Sequence, residues 1–215
     1  MSTSTRWTVA VMAVVVALGV ALWTQLGDNT SPTGSIGAGQ ARDRRDADTA
    51  EALAGPRARA DLPPCPPAST GPEPERLSGI TLECAGDGSR VDVAGTLAGR
   101  MTVLNLWAYW CAPCAEELPA MAEYQRRAGP GVTVLTVHQD ENEEAALLRL
   151  AELGVRLPTL QDGRRLIAAA LQVPNVMPAT VVLRADGSVA EVLPRSFASA
   201  DEIAAAVDPK IGESG

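Results

Sequence analysis

Asn105-Leu106-Trp107-Ala108-Tyr109-Trp110-Cys111-Ala112-Pro113-Cys114 is the stretch on which the reading of this chain turns. It sets two thiols, two residues apart, between an apolar run (Met101 to Trp107) and a helical pattern from Ala115 to Tyr124. The run suits a strand buried on both faces. A Cys-x-x-Cys placed after such a strand, where strands and helices alternate, reads as a redox motif that exchanges thiols for disulfides. A purely structural cysteine pair is the alternative, and it would lack the accessible, electropositive surroundings that reactive cysteines need.

Downstream, Pro119 falls inside the helical pattern and is expected to kink it, and Gly129-Pro130-Gly131 ends it. Val132 to Val137 reads as a second buried strand. Glu141 to Leu153 is helical in period, with acids at its start where the helix dipole favours them. Leu157 to Leu160 is a short strand and Arg164 to Leu171 a helix. Met177 to Leu183, the Asp186-Gly187 turn and Val189 to Leu193 make an antiparallel pair, and Ala200 to Val207 is a closing helix. Upstream, Ile80 to Cys84, a turn at Asp87-Gly88 and Val91 to Val93 predict a short hairpin. The fold class is therefore α/β, a mixed central sheet with helices on both faces.

Composition narrows the function. The 215 residues carry a net charge of -8, which argues against a phosphate-binding surface and against nucleic acid as a partner. Of the four cysteines, Cys65 and Cys84 stand apart from the motif pair. In an oxidising compartment they would form a structural disulfide that closes a loop of about twenty residues and stabilises by roughly 3 kcal/mol. Two unrelated thiols, or four cysteines around a zinc ion, are the alternatives. Zinc is disfavoured because only one Cys-x-x-Cys spacing is present. No metal or cofactor is expected.

From Trp7 to Leu26 there is no charged residue, and the length is about that of a membrane-spanning helix with indoles, Trp7 and Trp23, near its ends. A cleaved signal peptide is the alternative, but its apolar region would be shorter and lead into a small-x-small site. Residues 27–76 are rich in Gly, Ser, Pro and mixed charge without an apolar period, and read as a flexible tether that stiffens toward its prolines. The expected organisation is a tail (1–6), an anchor (7–26), the tether (27–76), one folded domain (77–208) and a tail (209–215).

Taken together, Asn105 to Cys114, Glu117-x-Pro119, and Met177-Pro178-Ala179-Thr180 before a strand and an Asp-Gly turn resemble the thioredoxin superfamily, within it the membrane-anchored TlpA/ResA-like group. The likeness covers about residues 77–207. It implies a thioredoxin fold in which Cys111 at a helix N-terminus is the attacking thiolate and Cys114 the resolving thiol. Pro178 would be the cis-proline beside them. Trp110, Ala112, Pro113 and Met177 would contact an extended substrate. Where thioredoxin itself has a buried Asp, this chain has Asn105, which cannot titrate. The group's acid matches Glu117, expected to exchange a proton near Cys114, with a solvated surface role as the alternative. Glu116 fits that surface role better. His138, the only histidine, is expected to be non-catalytic, because the dithiol resolves its own intermediate.

The resemblance further implies a single-pass protein of the cell membrane whose domain faces the extracytoplasmic side. It would reduce disulfides of exported proteins such as apocytochrome c, in cytochrome c maturation, with electrons from a membrane carrier of the CcdA/DsbD type. The same fold run as an oxidant, a peroxidase of peroxiredoxin type, and a cysteine-based metal-binding or chaperone module are the competing readings. The peroxidase is disfavoured because its reactive Cys does not sit in Trp-Cys-x-x-Cys.

Overall fold

The computed structural model describes residues 48–212, so the apolar stretch 7–26 and the first part of the expected tether lie outside the described residues. Among the described residues no helix is long and apolar enough to cross a membrane. The order is α1 (Ala50–Ala60), β1 (Thr81–Cys84), β2 (Arg90–Asp92), α2 (Val93–Leu97), β3 (Thr102–Trp107), α3 (Ala112–Ala128), β4 (Thr133–His138), α4 (Glu143–Leu153), β5 (Thr159–Gln161), α5 (Leu166–Leu171), β6 (Ala179–Leu183), β7 (Val189–Leu193) and α6 (Ala200–Gly212). The seven strands form one sheet in the order β2-β1-β5-β4-β3-β6-β7.

β3 is central and every one of its residues is buried. It runs parallel to β4, with Trp107 opposite His138, and antiparallel to β6, with Leu106 opposite Ala179. The ends of β3 and β4 and the beginning of β6 therefore meet at one edge. That edge carries Cys111 and Pro178. Alternation along β3 divides the core. Val103 and Trp107 join α3 and α6 residues such as Leu118, Met121 and Ile203. Leu104 and Leu106 face Leu97, Ile167 and Leu171 on the other side. Asn105 lies between Val103 and Trp107 in sequence, so it points toward α3.

The expected tether is corrected from Asp48 onward, because this segment is packed structure. α1 is capped by Thr49, whose hydroxyl accepts from the Ala52 amide, and it buries Leu53, Pro56 and Ala60. Leu53 and Ala60 pack with Ala85 and with Leu147 of α4. An alanine-rich helix with an internal proline shows almost no apolar stripe, so periodicity could not reveal it. Arg57 fixes it in place. Its guanidinium donates to Glu83 (2.5 Å), Glu143 (2.9 Å) and the Ala85 carbonyl (3.1 Å). Removing it with Arg57→Ala would leave Glu143 buried without its cation. The expected loss is about 2 kcal/mol, discounted because Glu83 is half exposed. Urea denaturation and faster protease cleavage within 50–64 would register it.

The proline-rich part is held as well. Cys65 and Cys84 form a disulfide with a Cα–Cα distance of 5.8 Å. Ser69 donates to the Gly95 carbonyl, and Gly99 to that of Pro72. Glu73 crosses the β6–β7 turn so closely that a Cβ on Gly187 would stand 2.6 Å from the Glu73 oxygen, and Gly187 also has φ +84. Only glycine suits that position. Replacing Cys65 and Cys84 together by serine is expected to lower stability by about 3 kcal/mol, the loop-closure entropy returned to the unfolded chain. Thermal denaturation under oxidising and reducing conditions reads this directly.

Element ends differ from expectation where side chains cap them. Asn142 accepts from the Ala145 amide, so α4 starts at Glu143 and not Glu141. Asp162 accepts from the Leu166 and Ile167 amides and Arg165 sits at φ 57, which moves the start of α5 from Arg164 to Leu166. β5 is Thr159–Gln161 and not Leu157–Leu160, paired with β4 through Thr136–His138. α6 continues past Val207, where a tail was expected from 209, because Ile211 still packs on the core that holds Ile203 and Val207.

Candidate active site

α3 begins where the apolar run ends, because Cys111 takes an extended backbone and caps the helix, its sulfur accepting from the Cys114 amide (3.3 Å). Pro113 fits the first turn, where a missing amide proton costs nothing. Cys111 and Cys114 are joined as a disulfide, Cα–Cα 5.2 Å. Cys114 is fully buried and Cys111 is 6% exposed, so the first cysteine is less open than an attacking thiol was expected to be. It remains the more accessible of the two, and it faces the positive end of the helix, which favours a thiolate. Ala112 and Pro113 are exposed beside it.

Trp110 is 56% exposed, and its indole donates to Asp140 Oδ2 (3.0 Å). The Met177–Pro178 bond is cis. Pro178 immediately precedes Ala179, which pairs with Leu106, so it stands at the same edge as the disulfide. Pro178 is buried and Met177 half-buried.

One turn past Cys114 on α3, Glu117 is fully buried, while Glu116 is exposed. Its Oε2 accepts from Asn105 Nδ2 (2.7 Å) and its Oε1 from the Phe197 amide (3.0 Å). Burial pushes the carboxyl up to about 7, against the opposing pull of Asn105, Phe197 and the charge of Arg195. Three residues after Cys114 on a helix, Glu117 shares its face with the resolving sulfur. A carboxyl poised near neutrality can take up or release a proton there.

His138 is buried and its Nδ1 lies 2.8 Å from Gln161 Oε1. Gln161 Nε2 donates to the Asp140 carbonyl (2.7 Å), which fixes Oε1 as the acceptor and puts the His138 proton on Nδ1. His138 Nε2 meets no hydrogen-bond partner, so no Cys–His pair forms. Burial holds its pKa below the ordinary value. The ring packs against Trp107 (centroids 5.0 Å apart), which is core.

Sequence reasoning missed several residues at this edge. Asp140, just after β4, accepts from the Trp110 indole, and Gln161, the last residue of β5, donates to the Asp140 carbonyl. Arg165 donates to Gln139 Oε1 (3.2 Å) and to Asn175 Oδ1 (2.5 Å), tying the end of β4 to the loop before Pro178. Their position at the C-terminal ends of parallel strands was the available signal. Among the described residues no His, Cys, Asp and Glu side chains are grouped to hold a metal ion.

The Redoxin family model matches residues 66–203, well over half of the chain, across β1 to the first turn of α6. The chain belongs to the Redoxin family. This Redoxin-family protein is 31% identical over 108 residues to the thiol-disulfide oxidoreductase ResA of Bacillus subtilis, an alignment covering 50% of this chain and 59% of ResA. The match thus spans less than two thirds of that relative. A secreted Mycobacterium tuberculosis disulfide oxidoreductase homologous to E. coli DsbE superposes with a TM-score of 0.54 at 28% identity, covering 63% of this chain and 98% of that one. A secreted thiol-disulfide isomerase from Corynebacterium glutamicum gives 0.55 at 26%, covering 62% and 84%. These likenesses bear out the thioredoxin-like α/β fold and the ResA/TlpA-like kinship read from the sequence.

Proposed function

We propose that this protein is a thiol–disulfide oxidoreductase, tethered by residues 7–26 to the extracytoplasmic face of a membrane, that reduces disulfides of exported proteins, apocytochrome c among them. The observation that carries the reading is the cysteine pair at the N-terminus of α3 with a buried carboxyl one helical turn on and a cis-proline at the same edge. The likeness to the thiol-disulfide oxidoreductase ResA and to the secreted M. tuberculosis disulfide oxidoreductase supports the reaction class. The Cys65–Cys84 disulfide supports an oxidising compartment.

In the forward reaction the Cys111 thiolate attacks a substrate disulfide and one substrate sulfur leaves as a thiolate. Cys114 then loses its proton and attacks Cys111, the mixed disulfide breaks, and the second substrate thiolate departs. The substrate gains two electrons, and the Cys111–Cys114 dithiol is oxidised to the disulfide. Glu117 receives the Cys114 proton, and Trp110, Ala112, Pro113, Met177 and Pro178 receive the substrate chain. A membrane carrier of the CcdA/DsbD type returns the two electrons.

The likeness to the secreted C. glutamicum thiol-disulfide isomerase favours a second reading in which the pair also oxidises or reshuffles disulfides. The reduction potential of the full chain decides between them. A value of about -270 mV is expected for the reductant, and one of about -120 mV would reverse the direction. Insulin-disulfide reduction that survives Cys111→Ser would sink both.

A further inference from the structure

Among the described residues two large apolar side chains are exposed, Trp110 at 56% and Val176 at 44%. One stands next to Cys111 and the other two residues before the cis-proline, so each belongs to a segment that ends at the disulfide edge. Both segments are held from one point, the Gln139-Asp140 pair that follows β4. Asp140 accepts from the Trp110 indole. Gln139, buried, accepts through Oε1 from Arg165 Nε (3.2 Å), and Arg165 Nη1 donates in turn to Oδ1 of Asn175, the neighbour of Val176.

Among the described residues this bridge is the one hydrogen bond that joins residues 174–177 to another segment. The Val176 amide donates to the Pro174 carbonyl within the loop, and Met177 adds apolar packing on the core. The bridge is kept at two costs. Arg165 stands at φ 57, where a side chain is strained and glycine is not. A guanidinium only donates, so it turns Gln139 Oε1 toward itself and leaves the buried Nε2 without an acceptor. Asp162 sets the turn that presents Arg165: its carboxylate caps α5 through the Leu166 and Ile167 amides, and its carbonyl accepts from the Arg165 amide. Strain and orphan together sustain a contact whose outer end meets the loop before Pro178.

We propose that Arg165 is a positioning residue that fastens the 174–177 loop to the end of β4, and so sets the platform, Val176 included, on which an extended polypeptide is received beside Cys111. The proposal rests on the oxidoreductase reading and narrows its substrates to polypeptide disulfides in preference to small ones. A loop already fixed in its receiving position loses little freedom when a substrate chain lies on it. A small disulfide reaches Cys111 without using the loop and gains nothing from the bridge.

The test sets two disulfides against the reduced full chain in detergent: an unstructured peptide with one Cys-x-x-Cys disulfide, and dithiodipyridine. Acid quench and alkylation give the rate of each reaction across substrate concentrations. Arg165→Gly removes the bridge while suiting the left-handed backbone. It is expected to raise the half-saturating peptide concentration about tenfold, the loss of one hydrogen bond from a charged group, with the limiting rate little changed. The ratio of peptide to dithiodipyridine rates below saturation falls by the same factor. Asn175→Ala, on the exposed loop, is expected to lower the ratio as well, and the double variant to fall no further than Arg165→Gly alone. Arg165→Lys keeps the charge without the guanidinium fork and is expected to behave as the glycine variant does. A wild-type ratio in Arg165→Gly or in Arg165→Lys would overturn the proposal, as would losses that add in the double variant. Peptide reduction that survives Cys111→Ser overturns the oxidoreductase reading instead, whereas an unchanged ratio in a Cys111-dependent reaction sinks the bridge alone.

Discussion

Replacing Cys114 with serine is expected to leave the protein, recovered from its native host, covalently bound to its partners through Cys111. The serine preserves the packing of a fully buried side chain closely, but it cannot act as the second sulfur nucleophile. The first step, attack by Cys111, still has its helix N-terminus and its extended edge at Pro178. Turnover of a protein disulfide should fall on the order of 10⁴-fold or more, the scale seen when one member of a group that acts as a unit is lost. Non-reducing electrophoresis should show higher-mass adducts that collapse on adding reductant and are absent from Cys111→Ser. Identification of the adducts by mass spectrometry tests the substrate class as well. Exported proteins with paired cysteines are expected, and a clean monomer with a reactive Cys111 would count decisively against exchange chemistry.

Glu117→Gln is expected to change both the pH dependence of reactivity and that of stability. Folding raises the Glu117 pKa from 4.5 to about 7, through burial first of all. Between those values the folded state holds a proton that the unfolded chain has released. Stability therefore falls as pH rises through this window, and the loss is complete above about pH 7. From pH 5 to pH 8 the contribution of this one group is roughly 2–3 kcal/mol. The glutamine variant should lack that part of the slope. Glu143, raised to about 7 by burial beneath Arg57, adds a slope of the same sign and remains in both proteins. Comparing urea midpoints of wild type and variant at the two pH values isolates Glu117. In the reaction, the variant should lose the inflection near pH 7 and resolve mixed disulfides about 10²-fold more slowly at pH 8, the lower range for loss of a general base. A resolution rate with an unaltered pH profile would exclude Glu117 as the proton acceptor.

Much of the candidate site was legible in the chain because its parts are short and local. The apolar run before Cys111, the capping geometry of a cysteine followed by Ala-Pro, and Pro178 ahead of a strand each depend on a few adjacent residues. The α1 segment was not legible, because its burial depends on Leu53 and Ala60 meeting a helix nearly a hundred residues away. The bond from the Phe197 amide to Glu117 carried no signal either, because the two residues are 80 apart in the chain. The burial of Glu117 against the exposure of Glu116 was readable only as a choice of helix face.

What the sequence by itself determined is the chemistry: two thiols at the start of a helix, a carboxyl one turn on, and the alternation of strands and helices that frames them. The tertiary structure decided how that chemistry is tuned. Asn105, Glu117 and Phe197 lie on three separate segments, and only the closing of α3 and the β7–α6 segment over the sheet removes water from the carboxyl and so brings its proton affinity near neutrality. Burial is a property of the assembled layers, and no stretch of chain carries it alone.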